Sequence, residues 1–388
     1  MLNERLFSAA LRSIPVQAEA IQRALDCTVW NGNARNEGGD ASGSNASVLL
    51  REIGKTGRQT QAVFESSISR LHTTIVSSAL QDAGFIAALA IDIMDRNLYE
   101  RANDCRWWAL TRTFREKLSS FQSLSPETLQ EFSEILAYIN NLYTVYTNLV
   151  LFDCEGVIVA ASNPAEQGLV GQPYADSLVE HVLKLRDSQQ YAVSAFHPSD
   201  LYASRPTFVY GAAIRDLAGR GCGGIGIVFD SEPQFAAMLE ESMPRDSNDK
   251  LVDGAIGMFV DMEGLVISAF GGNLKPGDKV DMPKHILQPS RGRSVSCVNQ
   301  YEGCFYATGS RLTQGYREYK GKHDAYQYQL VAIVMIPLGM ISDNTAGLRS
   351  MADMIRRRRE VAELVSRRTG AQYATFFAGG YWLAVAQP

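Results

Sequence analysis

One eleven-residue segment occurs twice in this chain. LFDCEGVIVAA (151–161) and FVDMEGLVISA (259–269) share an apolar run, an Asp-x-Glu-Gly turn and a second apolar run, and Gly156 and Gly264 stand 264 − 156 = 108 positions apart. Such a unit reads as a β-hairpin, with glycine where the turn requires positive φ. A fixed repeat distance points to duplicated folds rather than one continuous core. The length of 388 residues agrees, because about 150 residues per domain gives two or three units.

The surroundings of each copy extend the pattern. After the first hairpin come a helical stretch (174–185) and strand-like segments at Tyr191–Phe196, Thr207–Ile214 and Gly223–Phe229. After the second come Ser294–Cys297, Cys304–Ser310 and Tyr328–Ile336, with Pro337 expected to close the sheet. Two strands, a helix and three strands describe a five-stranded antiparallel sheet with helices packed against it. GCGGIG (221–226) reads as a tight approach to a strand rather than a phosphate loop, because no helix follows it directly.

Before residue 146 the spacing is helical. Residues 4–27 and 48–119 carry apolar groups at mostly three- to five-residue intervals, separated by a Gly-, Asn- and Ser-rich stretch (30–47) that reads as a mobile loop. Residues 48–119 predict a long helix or a helical hairpin. Ser125 followed by Pro126 predicts a further helix ending near Leu142. Residues 345–369 return to helical spacing with seven arginines against three acids, a local charge of +4, and read as a linker. The last segment, YATFFAGGYWLAV, predicts two strands joined at Gly379 and Gly380.

Composition excludes several classes. Lys plus Arg number 37 against 42 for Asp plus Glu, and a net charge of −5 offers no general field for nucleic acid. Six cysteines without a C-x-x-C pair and five dispersed histidines predict neither a metal site nor a disulfide scaffold. The apolar runs Gly84–Ile91 and Leu330–Ile341 fall short of a bilayer's width, so no membrane span is expected, and cysteines this sparse fit a reducing compartment, so the location reads as cytoplasmic. No hydrolase, kinase or dinucleotide motif appears, so catalysis and cofactors are not expected.

The twin Asp-x-Glu-Gly hairpins behind a long leading helix, with YTNLVLFDCEGVIVAASNPAEQGLVGQ, SDLYASRPTFVYGAAI and GGIGIVFDS in the first copy and GMFVDMEGLVISAF through LVAIVMIPLG in the second, resemble the double Cache sensor domain of bacterial chemoreceptors and sensor kinases. DRNLYERANDCRWWAL is similar to a segment in the leading helix of some such sensors, and YATFFAGGYWLAV to the first hairpin of a CheW-like adaptor domain. The resemblance implies an α+β fold: long N-terminal helices (1–145), two tandem PAS-like (Cache) modules (146–250 and 251–342), an Arg-rich linker helix (343–369) and the start of a CheW-like domain (370–388). It implies a sensor that binds a small polar metabolite in the first module. A CheA-type histidine kinase or chemoreceptor array would be its partner, and a homodimer built on the N-terminal helices its switch.

Tyr202, Arg205, Tyr210 and Asp230 are the best candidate ligand-binding group, with Phe196 and Ser194 on the preceding strand. An Arg can grip a carboxylate with two parallel hydrogen bonds, an Asp can accept from an ammonium, and aromatic rings can wall the pocket, so the types suit a zwitterion. Asp230 ends a strand where amino-acid-binding members of the family place an amine-binding carboxylate. Their Arg-x-Trp-Tyr signature is absent from 163–190. In the second module Tyr306, Tyr316, Arg317, Tyr319 and Asp324 form a similar mixture that ordinary packing also explains. Arg106, Trp107 and Trp108 read as a packing anchor, with at least one tryptophan buried. Asp92, Asp95, Tyr99 and Arg106 read as intrahelical partners. Two other readings stand beside the sensor: a scaffold that binds no ligand, and a hydrolase without a catalogued motif.

Overall fold

The computed structural model of the chain describes residues 19–27, 29, 43–119, 124–163, 168–174, 176–246, 248–316, 329–340, 373–378 and 381–386. The expected loop at 30–47 and the Arg-rich helix at 345–369 lie outside the described residues, save the start of the first long helix.

The sequence's helical region is one continuous helix, α1 (Gly43–Trp108), of 66 residues, about 100 Å long at 1.5 Å per residue. A short helix α2 (Arg112–Lys117) and then α3 (Pro126–Leu142) follow. Ser125 caps α3, its hydroxyl accepting from the Thr128 N–H, and proline occupies the first turn. Small and apolar groups recur on α1 every three or four residues: Val76, Ala79, Ala83 and Ala87, then Met94, Leu98, Ala102 and Cys105, all buried. The first four belong to a core of the second module, and the last four to a larger core that joins the first sheet to Phe259, Ile267, Leu330 and Ala332 of the second. One rod therefore carries both sheets.

Each module is a five-stranded antiparallel sheet. The first joins β1 (Tyr146–Asp153), β2 (Ile158–Ala161), β3 (Ala192–Val193), β6 (Val209–Arg215) and β7 (Gly221–Phe229) in the order β2-β1-β7-β6-β3. Between β3 and β6 lies a small hairpin of β4 (His197–Ser199) and β5 (Arg205–Thr207), and α4 (Ser177–Leu183) precedes β3. After β7 comes α5 (Ser231–Ser242). The second sheet joins β8 (Ile256–Asp261), β9 (Val266–Phe270), β10 (Val295–Tyr301), β11 (Cys304–Leu312) and β12 (Leu330–Met340) in the order β9-β8-β12-β11-β10, with the short helix α6 (Lys284–Leu287) before β10. Strand for strand the two orders are the same, so the fold is α+β with two tandem five-stranded antiparallel modules behind a long N-terminal helix.

The duplication reaches individual hydrogen bonds. Asp153 Oδ1 accepts from the N–H groups of Glu155 and Val157, and Asp261 Oδ1 accepts from those of Glu263 and Leu265. Gly156 and Gly264 have φ of 80° and 85°. Downstream, Ile158 N–H donates to Gln172 O in the first module and Val266 N–H donates to Asp278 O in the second. The Asp-x-Glu-Gly motif is thus a self-capping turn in which the carboxylate satisfies two backbone donors and glycine supplies the left-handed step.

Three expectations change. β12 runs through Pro337 to Met340, because its pairing with β8 ends at Met335 and proline then sits at a register shift opposite Tyr306, where no ladder partner on the β8 side requires its missing N–H. GCGGIG is the first part of β7 itself. A Cβ at Gly224 would lie 2.4 Å from the Phe152 ring and 2.7 Å from Val182, so small residues let that ring and α4 lie against the strand. The expectation that no segment is long and apolar enough to span, and the cytoplasmic location stated beside it, are also overturned. Within Arg51–Trp108 an 18-residue window with at most two charged residues is long and apolar enough to cross a membrane, although 44% of it is buried against the protein. Isolated runs hid this, because helix continuity decides what spans. At the C-terminus β13 (Tyr373–Ala378) and β14 (Tyr381–Ala386) pair antiparallel around Gly379 and Gly380.

Candidate functional site

The first sheet has two buried faces. One, with Leu149, Leu151, Tyr210 and Ile227, meets α1 and α3; the other, with Val150, Phe152, Val209 and Val228, is covered by Leu178, Val179 and Val182 of α4 and by Leu201 and Tyr202. Strand alternation alone makes this division. It separates the candidate residues.

Tyr202, Arg205 and Asp230 come together. The Tyr202 hydroxyl donates to Asp230 Oδ1 at 2.5 Å, and the Arg205 guanidinium lies 4.0 Å over the Tyr202 ring. Arg205 also pairs with Glu232 at 2.7 Å, with both side chains about half exposed. Burial first, and then the bond to Asp230, push the Tyr202 phenol well above its ordinary range, so it stays a donor at neutral pH. Asp230 holds the cap position of α5 but makes no cap hydrogen bond. A capping carboxylate commonly adds about 1 kcal/mol, so here the group is turned from its helix toward Tyr202.

The backbone between the two candidates is strained. Ala203 and Ser204 have φ of 52° and 56° in succession, and neither is glycine. Left-handed residues of this kind cost roughly 1 kcal/mol each and concentrate where a site needs an unusual turn. Here the turn folds Arg205 back over Tyr202, and the Ser204 N–H donates to Ser199 O.

The other candidates lie elsewhere. Tyr210 is fully buried on the helix-facing side, stacked on Tyr191 at 6.4 Å, and Phe196 contacts Phe208 at 5.1 Å on that side. Ser194 accepts from the Val209 N–H. Polar groups the sequence did not single out stand near Tyr202: Tyr174 donates to Asp176, and His197 Nε2 is 3.6 Å from the same carboxylate. No local spacing links 176 to 197; only the hairpin β4–β5 does. Glu232 was the one with a signal, two residues past Asp230 at a helix start.

In the second module Tyr306 packs in the core and the Tyr316 ring lies tilted against that of Tyr99, centroids 5.4 Å apart. Arg317, Tyr319 and Asp324 lie outside the described residues. On α1 Trp108 is buried edge-on to Tyr143 and Tyr146 while Trp107 is exposed. Asp95 reaches out of its helix, accepting from the Gln314 and Gly315 N–H groups and tying α1 to the end of β11. Arg106 does both, donating to Ala102 O and Asn103 Oδ1 within the helix and to Gln189 O outside it.

No family model matches this sequence, and no curated protein matches it. Among solved structures, the chain is similar to the sensory domain of the Campylobacter jejuni chemoreceptor Tlp3 (TM-score 0.48, 12% identity, 68% of this chain and 95% of that one). It is also similar to the extracellular domain of the putative histidine kinase rpHK1S-Z16 (TM-score 0.48, 12% identity, 67% and 95%). A third is the ligand-binding domain of Mlp24 with asparagine (TM-score 0.43, 10% identity, 68% and 95%).

Proposed function

We propose that this chain is a sensor whose first module binds a small polar metabolite, an amino acid, carboxylate or amine, at Tyr202, Arg205 and Asp230. The observation that carries the reading is a carboxylate at a strand end that leaves its helix uncapped to meet a buried phenol. Glu232 and the strained turn at 203–204 complete the group. A ligand ammonium would take Asp230, and a ligand carboxylate would draw Arg205 from Glu232. That exchange is inexpensive, since exposed ion pairs contribute about 0.2–1 kcal/mol. Tyr210, Phe196 and Ser194 serve as the packed support behind the group.

Signalling follows if the ligand favours one of two arrangements of α1, the rod that touches both modules. We assign as its output a homodimer formed along α1, a CheA-type histidine kinase or receptor array as partner, and the hairpin β13–β14 as the start of a CheW-like unit.

One observation favours a second reading, a scaffold without ligand. Leu178, Val182, Leu201 and Tyr202 already pack on the face beneath the candidate group. A thermal-shift screen of the full chain against amino acids, organic acids, amines and purines separates the two. A ligand at one hundred times its Kd adds about 2.7 kcal/mol. The sensor reading expects a hit that is lost in Asp230→Asn; silence across the whole screen overturns it in favour of the scaffold.

A further inference from the structure

A cleft opens at the end of the first sheet away from Tyr202 and Asp230. It has a volume of about 460 Å³ and lies between Leu118, Leu124 and Leu129 on the helical side and the β1–β2 and β6–β7 turns on the other. Two free thiols line it, Cys154 and Cys222. β1 and β7 run antiparallel as far as Asp153 opposite Gly223, and Cys154 and Cys222 are the next residues beyond that last pair, Cys154 already in the β1–β2 turn.

That register has a chemical consequence. Both thiols line the same cleft and Cys154 acts electrostatically on Cys222, and the strands they adjoin hold paired Cα atoms about 4.5–5.5 Å apart, against the span of about 4.4–6.8 Å that a disulfide bridges. β7 is also irregular here. Ile214 pairs with Gly223 and Arg215 with Gly221, which leaves Cys222 as the extra residue of a bulge. Gly223 makes the irregularity possible: its φ is 153°, and a Cβ there would lie 2.3 Å from Phe152 O. The bulge turns the Cys222 thiol out of the ladder's alternation and toward the cleft.

We propose that Cys154 and Cys222 form a redox modification site, closing to a disulfide by exchange with a low-molecular-weight disulfide such as oxidised glutathione. The two thiols differ in the way such an exchange needs. Cys154 is exposed and Cys222 is buried. Burial, with Asp216 and Cys154 adding to it and Arg115 opposing, pushes the Cys222 thiol up to about 11. Cys154 thiolate attacks the oxidised glutathione first, forming a mixed disulfide and releasing one glutathione thiolate, which takes up a proton. Cys222 then gives up its proton and attacks the Cys154 sulfur, expelling the second glutathione. Two protein thiols are oxidised and one disulfide is reduced to two thiols. The bond joins the tip of the β1–β2 turn to β7 across one wall of the cleft.

The full chain, equilibrated in reduced and oxidised glutathione and then denatured, is titrated for thiols and mapped by peptide mass spectrometry. From six cysteines the titratable thiols are expected to fall by two, with one peptide linking 154 to 222 and a higher Tm for the oxidised form. Cys154→Ser abolishes the link; Cys222→Ser halts at a stable glutathione adduct on Cys154. Six thiols persisting under fully oxidising conditions, a link among other cysteines only, or a Cys222→Ser protein that oxidises as the wild type does would each overturn the proposal. Cys154 is exposed, so its serine variant tests the chemistry apart from folding.

Discussion

Replacing Gly309 by alanine tests how closely the rod α1 lies on the second sheet. A Cβ at Gly309 would stand 2.2 Å from both the carbonyl carbon and oxygen of Ala83 and 2.4 Å from the Gly84 nitrogen. Ordinary carbon contacts lie at about 3.5–4.0 Å, and a gap of about 0.5–1 Å already forfeits a quarter to a half of the dispersion energy. The helix must therefore withdraw by more than 1 Å, loosening Ala79, Ala83 and Ala87 from Ala307 and Val334. Overpacking of this kind costs about 1–3 kcal/mol, and a clash with rigid backbone belongs at the upper end. Urea denaturation followed by helix signal should show a lower midpoint with an unchanged slope. Ala83→Gly should not rescue it, since the obstructing atoms are main chain. Gly84→Ala is the control. Its Cβ would meet chiefly the Ser296 hydroxyl, at 2.5 Å, and that group can rotate away. A Gly309→Ala midpoint within error of wild type, or rescue by Ala83→Gly, refutes the packing argument.

Further outcomes follow from the turns and the site. Gly264→Ala should cost more than Gly156→Ala, because both have positive φ but only the Gly264 Cβ meets backbone, Val280 O at 2.6 Å; equal midpoints in denaturant would contradict this. Ser204→Gly relieves a left-handed residue and should raise stability by roughly 1 kcal/mol in the same assay, while weakening any ligand that needs the turn held. Ser125→Ala removes the cap of α3 and should cost about 1 kcal/mol. Bonds from the Arg220 backbone first, and then its side chain, hold Asp216 below the usual carboxylate range. A carboxyl depressed in the folded state adds stability above its unfolded pKa, and that stability is lost as pH falls through the folded value. Asp216→Asn should therefore flatten the acid limb of a stability-against-pH curve, and an unchanged limb would rule the turn out as a contributor.

Much of the fold was legible because its signals are local. The self-capping Asp-x-Glu-Gly turn needs only five neighbouring residues, and Ser125 with Pro126 declares a helix start without outside help. Strand β3 shows the limit. Tyr191–Phe196 has strand-like composition, yet only Ala192 and Val193 pair, because Ser194 turns its hydroxyl to the Val209 N–H and Phe196 turns to Phe208. Asp95 and Arg106 show the same limit: helical spacing announced partners such as Ala102 and Asn103 for Arg106, but not that Asp95 would also meet the Gln314 and Gly315 N–H groups or Arg106 the Gln189 carbonyl.

The sequence alone determined that this protein is two copies of one sheet behind a helix, because hairpin turns and apolar periods are written in residues that touch along the chain. Only the tertiary structure decided which polar groups meet. Tyr202 joined Asp230 and Glu232, while Tyr210 went to the opposite face, because side-chain direction in a strand reverses at each residue and the partner across a sheet is set by register. Cys154 and Cys222, 68 residues apart by subtraction of their numbers, came to line one cleft through that register and through a bulge that no local pattern announces.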